Sequence, residues 1–159
     1  MLRRSFLLAL GGLGVSTCAA QARTAPPRDF RTADLMGGAF AMQSSQLALT
    51  RTRNPEVVNF ANAEIAEQVQ VANALRAAPG SAPLRPDHAV LLKRLQATPS
   101  GSFERMFVQG QIRGHQELLA LNESYLRSGS NPQEQQVAQM SLPIIQQHLA
   151  ILNNLRELA

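Results

Sequence analysis

His115 and His148 are two of only three histidines in 159 residues, and each interrupts an otherwise apolar helical stripe. Gln43 and Gln68 interrupt two earlier stripes in the same way. Brought together, such side chains can act in two ways. Neutral imidazoles ligate zinc or copper, although a competent site takes three or four ligands, and iron or manganese favours carboxylates. Alternatively, two amides and two imidazoles satisfy one another, or hold a water, as a polar layer that sets helix register; left unpaired, each would cost about 1–3 kcal/mol. The ligand count favours the polar layer of Gln43, Gln68, His115 and His148. The alternative is one transition metal (zinc, copper or iron) on His115 and His148, and no other cofactor is expected. A di-iron centre is disfavoured. Such bundles need Glu-x-x-His pairs, and Ile112 and Ile145 stand where the glutamates would be.

Other chemistry is missing from the sequence. It has no glycine-rich phosphate loop, no Gly-x-Ser-x-Gly elbow and no paired carboxylates in a catalytic frame. No catalytic residue is assigned, and a non-enzymatic role is expected, as a binding, structural or envelope-stress module, with metal binding at His115 and His148 as the alternative. Glu64, Glu67, Glu117 and Glu123 recur at helical spacing and read as solvated faces. His88, next to Asp87, reads as a surface or helix-start residue rather than a ligand. Met36, Met42, Met106 and Met140 read as core filler.

The elements that must position these residues are helices. From about Thr32, Met36, Phe40, Gln43, Leu47 and Thr50 form one stripe. Asn54-Pro55-Glu56 then opens a second helix: Asn caps free amides, Pro suits the first helical position and Glu complements the positive helix end. That helix turns Val57, Phe60, Ala61, Ile65, Gln68, Ala72 and Leu75 inward and stops at Ala78-Pro79-Gly80. A short helix spans Pro86 to Gln96. A long one runs from about Phe103 to Arg127 with Phe107, Val108, Ile112, His115, Leu118, Leu119 and Tyr125 inward. Asn131-Pro132 opens the last, with Val137, Met140, Ile144, Ile145, His148, Ile151, Leu152 and Leu155 inward and a kink or irregularity expected at Pro143. Two hairpins, each with a second helix opened by Asn-Pro and joined by a crossover bearing the short helix, predict an all-α, ferritin-like antiparallel four-helix bundle. His115 and His148 lie about 15 and 18 residues from their shared turn, so their depths should agree within about 5 Å.

Apolar residues make up 45% of the chain and aromatics 4%, a supply of Leu, Ala, Val, Ile and Met that suits helices better than sandwiches. Ahead of the bundle lies an export leader, residues 1–22. Arg3 and Arg4 form a basic start, Phe6 to Val15 an apolar run, and Ala20-Gln21-Ala22 a cleavage site. The run is shorter than the roughly 20 residues of a membrane span, so no transmembrane helix is expected in the mature chain. Residues 23–31 read as a flexible Pro-containing tether and 32–158 as the bundle domain. A periplasmic location follows, by the secretory or the twin-arginine route, with an outer-membrane lipoprotein through Cys18 as the alternative. Cys18 is the single cysteine and leaves with the leader, so no disulfide or Cys-based metal site is expected. The formal charge of +4 falls to +2 without the two leader arginines. The remaining basic residues are scattered, which excludes a nucleic-acid footprint. An envelope protein is the partner class left, unnamed by the sequence.

Several segments resemble the domain-of-unknown-function family 4142 of exported bacterial proteins. They are Leu47-Ala48-Leu49, Asn54-Pro55-Glu56-Val57 with Phe60-Ala61, Gly114-His115, and Ser141-Leu142-Pro143-Ile144-Ile145-Gln146-Gln147-His148-Leu149. The resemblance covers about residues 33 to 156. It implies a ferritin-like bundle, with no established activity to transfer. It also implies a metal or polar cluster built from an acid on the first helix, a His after an acidic pair on the second, an acid-His pair on the fourth and a His on the last. His115 and His148 match that pattern. Gln68 replaces the second-helix His after Glu67, Gln43 stands near the usual acid, and Gly114 replaces the acid before His115.

Overall fold

The computed structural model describes residues 29–158; the leader, with Arg3, Arg4, Cys18, Ala20 and Ala22, and tether residues 23–28 lie outside them. Among the described residues there are five helices and no strand: α1 Phe30–Arg51, α2 Pro55–Ala74, α3 Pro86–Ala97, α4 Ser100–Ser128 and α5 Pro132–Leu158. The start of α1 falls two residues before the expected one. The Asp29 carboxylate accepts from the Thr32 amide at 3.2 Å and the Thr32 hydroxyl at 2.6 Å, which caps the helix at Phe30. Both Asn-Pro signals act as anticipated: Asn54 Oδ1 accepts from the Glu56 amide, and Asn131 Oδ1 from those of Gln133 and Glu134. Helix α2 stops at Ala74 rather than Ala78. Arg76 takes a left-handed φ of 53°, and the amides of Arg76 and Ala77 bond back to Asn73 and Ala72, closing the end. Helix α5 runs through Pro143 without a break. Pro143 is exposed, so the carbonyl it leaves without an amide partner is on the water side.

The helices pack as antiparallel neighbours: α1 on α2 and α4, and α5 on α2 and α4. Near one end, Phe30 stacks on Tyr125 at 4.2 Å between ring centres, beside Leu75 and Val137. There Arg31 donates to the carbonyls of Leu75 and Arg76, binding the start of α1 to the end of α2. The other end holds Val57, Phe60, Phe103, Phe107, Leu152 and Leu155. Burying each such side chain is worth about 1.5–3 kcal/mol. There Arg51 donates to the carbonyls of Gln96 and Thr98 and lies over the Phe103 ring, holding α3 across α1 and the start of α4. No helix among the described residues is long and apolar enough to cross a membrane.

Two details of the stripes differ from expectation. On α5 the buried line is Val137, Ala138, Ser141, Ile145, His148, Leu152 and Leu155. Met140 and Ile151, expected inward, are 49% and 36% exposed. Helix α1 is buried nearly all round, because it contacts α2, α3 and α4. Its residues include Asp34, Gly37 and Gly38, and a Cβ at Gly37 would meet the Leu118 side chain at 2.7 Å.

Candidate metal centre

Between the two apolar clusters, α2, α4 and α5 each send one side chain to a common point. Glu64, His115 and His148 are 0%, 1% and 5% exposed. Glu64 Oε2 lies 3.0 Å from His115 Nε2 and 2.8 Å from His148 Nδ1, and the two nitrogens lie 3.1 Å apart. Three donor atoms from three helices thus form a nearly equilateral triangle. Tetrahedral zinc, with bonds of about 2.0–2.1 Å, spaces its donors about 3.3 Å apart, so a few tenths of an ångström of spreading would admit the ion.

The groups behind the triangle fix each donor. His115 Nδ1 is 2.8 Å from the Gln111 carbonyl, which only accepts, so Nδ1 carries the hydrogen. His148 Nε2 is 2.9 Å from Glu67 Oε2, an ionic contact without hydrogen-bond geometry. Gln68 Nε2 donates to Glu64 Oε1 at 2.9 Å, turning Oε2 toward the histidines. Gln68 fits because Gly38 has no side chain: a Cβ there would collide with Gln68 Oε1. Gln111 in turn donates to Ala41 O, Ser44 Oγ and Ser45 Oγ on α1 at 3.0–3.1 Å. The Phe60 ring walls the site, 5.1 Å from the His148 ring and 6.0 Å from that of His115.

This hydrogen inventory has an electrostatic consequence. With Glu64 ionised and the His115 hydrogen on Nδ1, the carboxylate and His115 Nε2 both present lone pairs at this point. A hydrogen on His148 Nδ1, a second proton on an imidazole or a metal ion each satisfies that contact. Burial works against charge on His115, but the Glu64 carboxylate outweighs it and raises the His115 pKa. Burial likewise opposes ionisation of Glu64, yet the His115 and His148 imidazoles hold its carboxyl well below the ordinary range. Metal-binding histidines as a rule donate their second ring N–H to a carbonyl or carboxylate, as His115 does here to the Gln111 carbonyl.

Of the four residues expected in a polar layer, the structure brings His115 and His148 into contact and places Gln68 one bond behind them. Gln43 is half-buried and makes none of these bonds; Gln111 instead is the buried amide that connects to α1. Glu64 is a correction: read as solvated, it is fully buried and supplies the third donor. The signal was present, since positions 57, 61, 64, 68, 72 and 75 form a helical stripe, but Ile65 was the more apolar choice beside it. Asp34, also buried, accepts from Asn122 Nδ2 at 3.1 Å and was not singled out.

His88 is a second correction. It is 2% exposed, not at the surface, with Nε2 3.1 Å from Glu117 Oε2 and its ring tilted on Phe40. Asp87, His88 and Glu117 have ligand spacing too. Arg85, however, contacts Asp87 at 2.7 Å and Glu117 at 2.9 Å, and Arg113 contacts the same two at 3.2 and 3.1 Å. Two guanidiniums already balance two carboxylates. The Arg85 hydrogen bond brings the Asp87 pKa to about 2, against a smaller opposing effect of burial. This network fastens α3 to α4, and no cation is required.

The family model described as Domain of unknown function (DUF4142) matches residues 14–155. No curated protein and no solved structure matched.

Proposed function

This chain belongs to the Domain of unknown function (DUF4142) family, and on the geometry of its buried cluster we propose that it is an exported, periplasmic metal-binding protein. Four of its helices would form a ferritin-like bundle, α1/α2 and α4/α5 being its hairpins and α3 the crossover. The reading rests on one observation: Glu64, His115 and His148 direct three potential ligand atoms at one point, 2.8–3.1 Å apart. Two imidazoles and one carboxylate are a donor set taken by zinc and by non-haem iron(II), and tetrahedral zinc spaces its donors to within a few tenths of an ångström of this triangle. The role is binding rather than catalysis, with an envelope protein as the partner class.

Metal analysis of untagged protein purified from the periplasm tests this. One zinc or iron per chain is expected, lost in a His115→Ala/His148→Ala double variant. Gln68→Ala, which frees Glu64, should weaken the affinity by about 10–100-fold. Protein that carries no metal and takes up neither ion at micromolar concentration would refute the reading. Export has its own readout. A mature N-terminus at Arg23 supports it, whereas a diacylated Cys18 would give the lipoprotein instead.

A second reading is favoured by the raised His115 pKa. A second proton on the imidazole would fill the same gap, leaving an imidazolium–carboxylate layer that sets helix register. The outcome of the metal analysis separates the two.

A further inference from the structure

A closed triangle needs an entrance. Phe60 and the Gln111 carbonyl block two sides of the Glu64–His115–His148 cluster, and none of its three donors reaches solvent to any extent. Glu67 and Gln68, which touch the cluster, also line a cavity. It measures about 30 Å³, and its other walls are Asp34, Val71, Leu118, Ser141, Ile144 and Ile145. Leu118 and Ile145 each stand three residues from a cluster histidine. The cavity therefore lies about one helical turn from the triangle, on the side of Leu75 and Val137. Val71, Ile144, Glu67 and Gln68 are half-buried and form its rim. The larger cleft of about 490 Å³, between Arg76 and Met140, touches none of the cluster residues.

Resting on the metal reading of the same site, we propose that this cavity is the port through which a single small divalent cation reaches the triangle, with Glu67 as the residue that hands it on. Three features carry this. The volume suits one water or one ion stripped of most of its water, and excludes an organic ligand of more than a few atoms. The carboxyl groups of Asp34 and Glu67 favour a cation over an anion at the port. Glu67 bridges the two spaces: its side chain is 29% exposed, while its Oε2 sits 2.9 Å from His148 Nε2 and has no hydrogen-bond partner. A carboxylate that lines the cavity and also touches His148 spans the path an ion would take inward.

The test compares equilibrium with kinetics, using Zn²⁺ and the full mature chain. Uptake is followed by stopped flow and release by transfer to an excess of chelator. Ile144 is on the rim and is not a ligand. Ile144→Phe should slow uptake and release alike by roughly fivefold or more, and Ile144→Ala should speed both, with Kd unchanged. Val71→Phe is the second plug, on a different helix, in case one substitution disturbs packing. Glu67→Gln should slow uptake with the rim intact. Normal Zn²⁺ affinity with wild-type rates in the rim variants would overturn the port while leaving the metal site standing. A wild-type chain that binds no Zn²⁺ would overturn the metal site, and the port with it.

Discussion

Asp34 bears a burden that Glu64 does not. Both carboxyls are buried among helices, but Glu64 meets two imidazoles and Asp34 meets only the Asn122 amide. Burial therefore raises Asp34 to a pKa of about 6, the Asn122 hydrogen bond offsetting only part of it. Below its unfolded value of 3.8 the group is protonated in both states and contributes nothing. Between 3.8 and about 6 the folded chain holds a proton that the unfolded chain has lost, so stability falls as pH rises. Above that the loss is constant, about 3 kcal/mol at most. Asp34→Asn should thus be more stable than wild type at pH 7 by up to about 3 kcal/mol, with the difference shrinking toward pH 4. Urea unfolding of both proteins across that range checks it, and a difference that does not vary with pH would contradict it. At this scale the sequence was partly legible. His115 and His148 stood out because histidine is rare and lay on apolar stripes. Glu64 and Asp34 did not, because a lone carboxyl beside an apolar neighbour reads as solvated until its partners on other helices are known.

At the scale of elements, helix starts were easier to read than helix ends. Asn54-Pro55 and Asn131-Pro132 combine a capping side chain with a ring that fits the first turn, and both open helices. The end of α2 carried no such mark, because an arginine takes the left-handed position usually filled by glycine. Its Cβ is crowded there, at a cost of about 1–2 kcal/mol. Arg76→Gly should therefore stabilise the protein by about 0.5–1 kcal/mol, once the greater freedom of glycine in the unfolded chain is discounted. The Arg31 bond to the residue 76 carbonyl remains available, since it uses the backbone. A chemical-denaturation midpoint that falls on this substitution would show that the arginine side chain contributes more than its backbone strain removes. The inward faces were legible where the helix has one buried side, as in α4. On α5 Val137, Ile145, His148, Leu152 and Leu155 are buried as expected, but Met140, Ile144 and Ile151, counted inward on hydropathy alone, lie toward one edge and Ala138 and Ser141 fill the other. On α1 no single stripe exists, since three neighbours surround it.

For the whole molecule, the repeated plan of long helix, tight break and Asn-Pro start made two antiparallel hairpins visible in the sequence. The convergence of α2, α4 and α5 on one point was not visible. It depends on the register between hairpins, which is set by tertiary contacts such as Phe30 on Tyr125 and Gly38 under Gln68. Those same contacts set the spacing of the three donors on which the proposed metal site rests. Two of the donors are turned by a neighbour on their own helix, Glu64 by Gln68 and His115 by the Gln111 carbonyl, while His148 of α5 meets Glu67 of α2. The apolar wall of Phe60 strengthens their attraction for a cation by excluding water. The most direct measurement is anomalous scattering at the zinc edge from crystals of the mature chain grown with zinc. The account predicts one strong peak bonded to Glu64 Oε2, His115 Nε2 and His148 Nδ1 at about 2.0–2.2 Å. No peak at that point, or one confined to Asp87, His88 and Glu117, would contradict it.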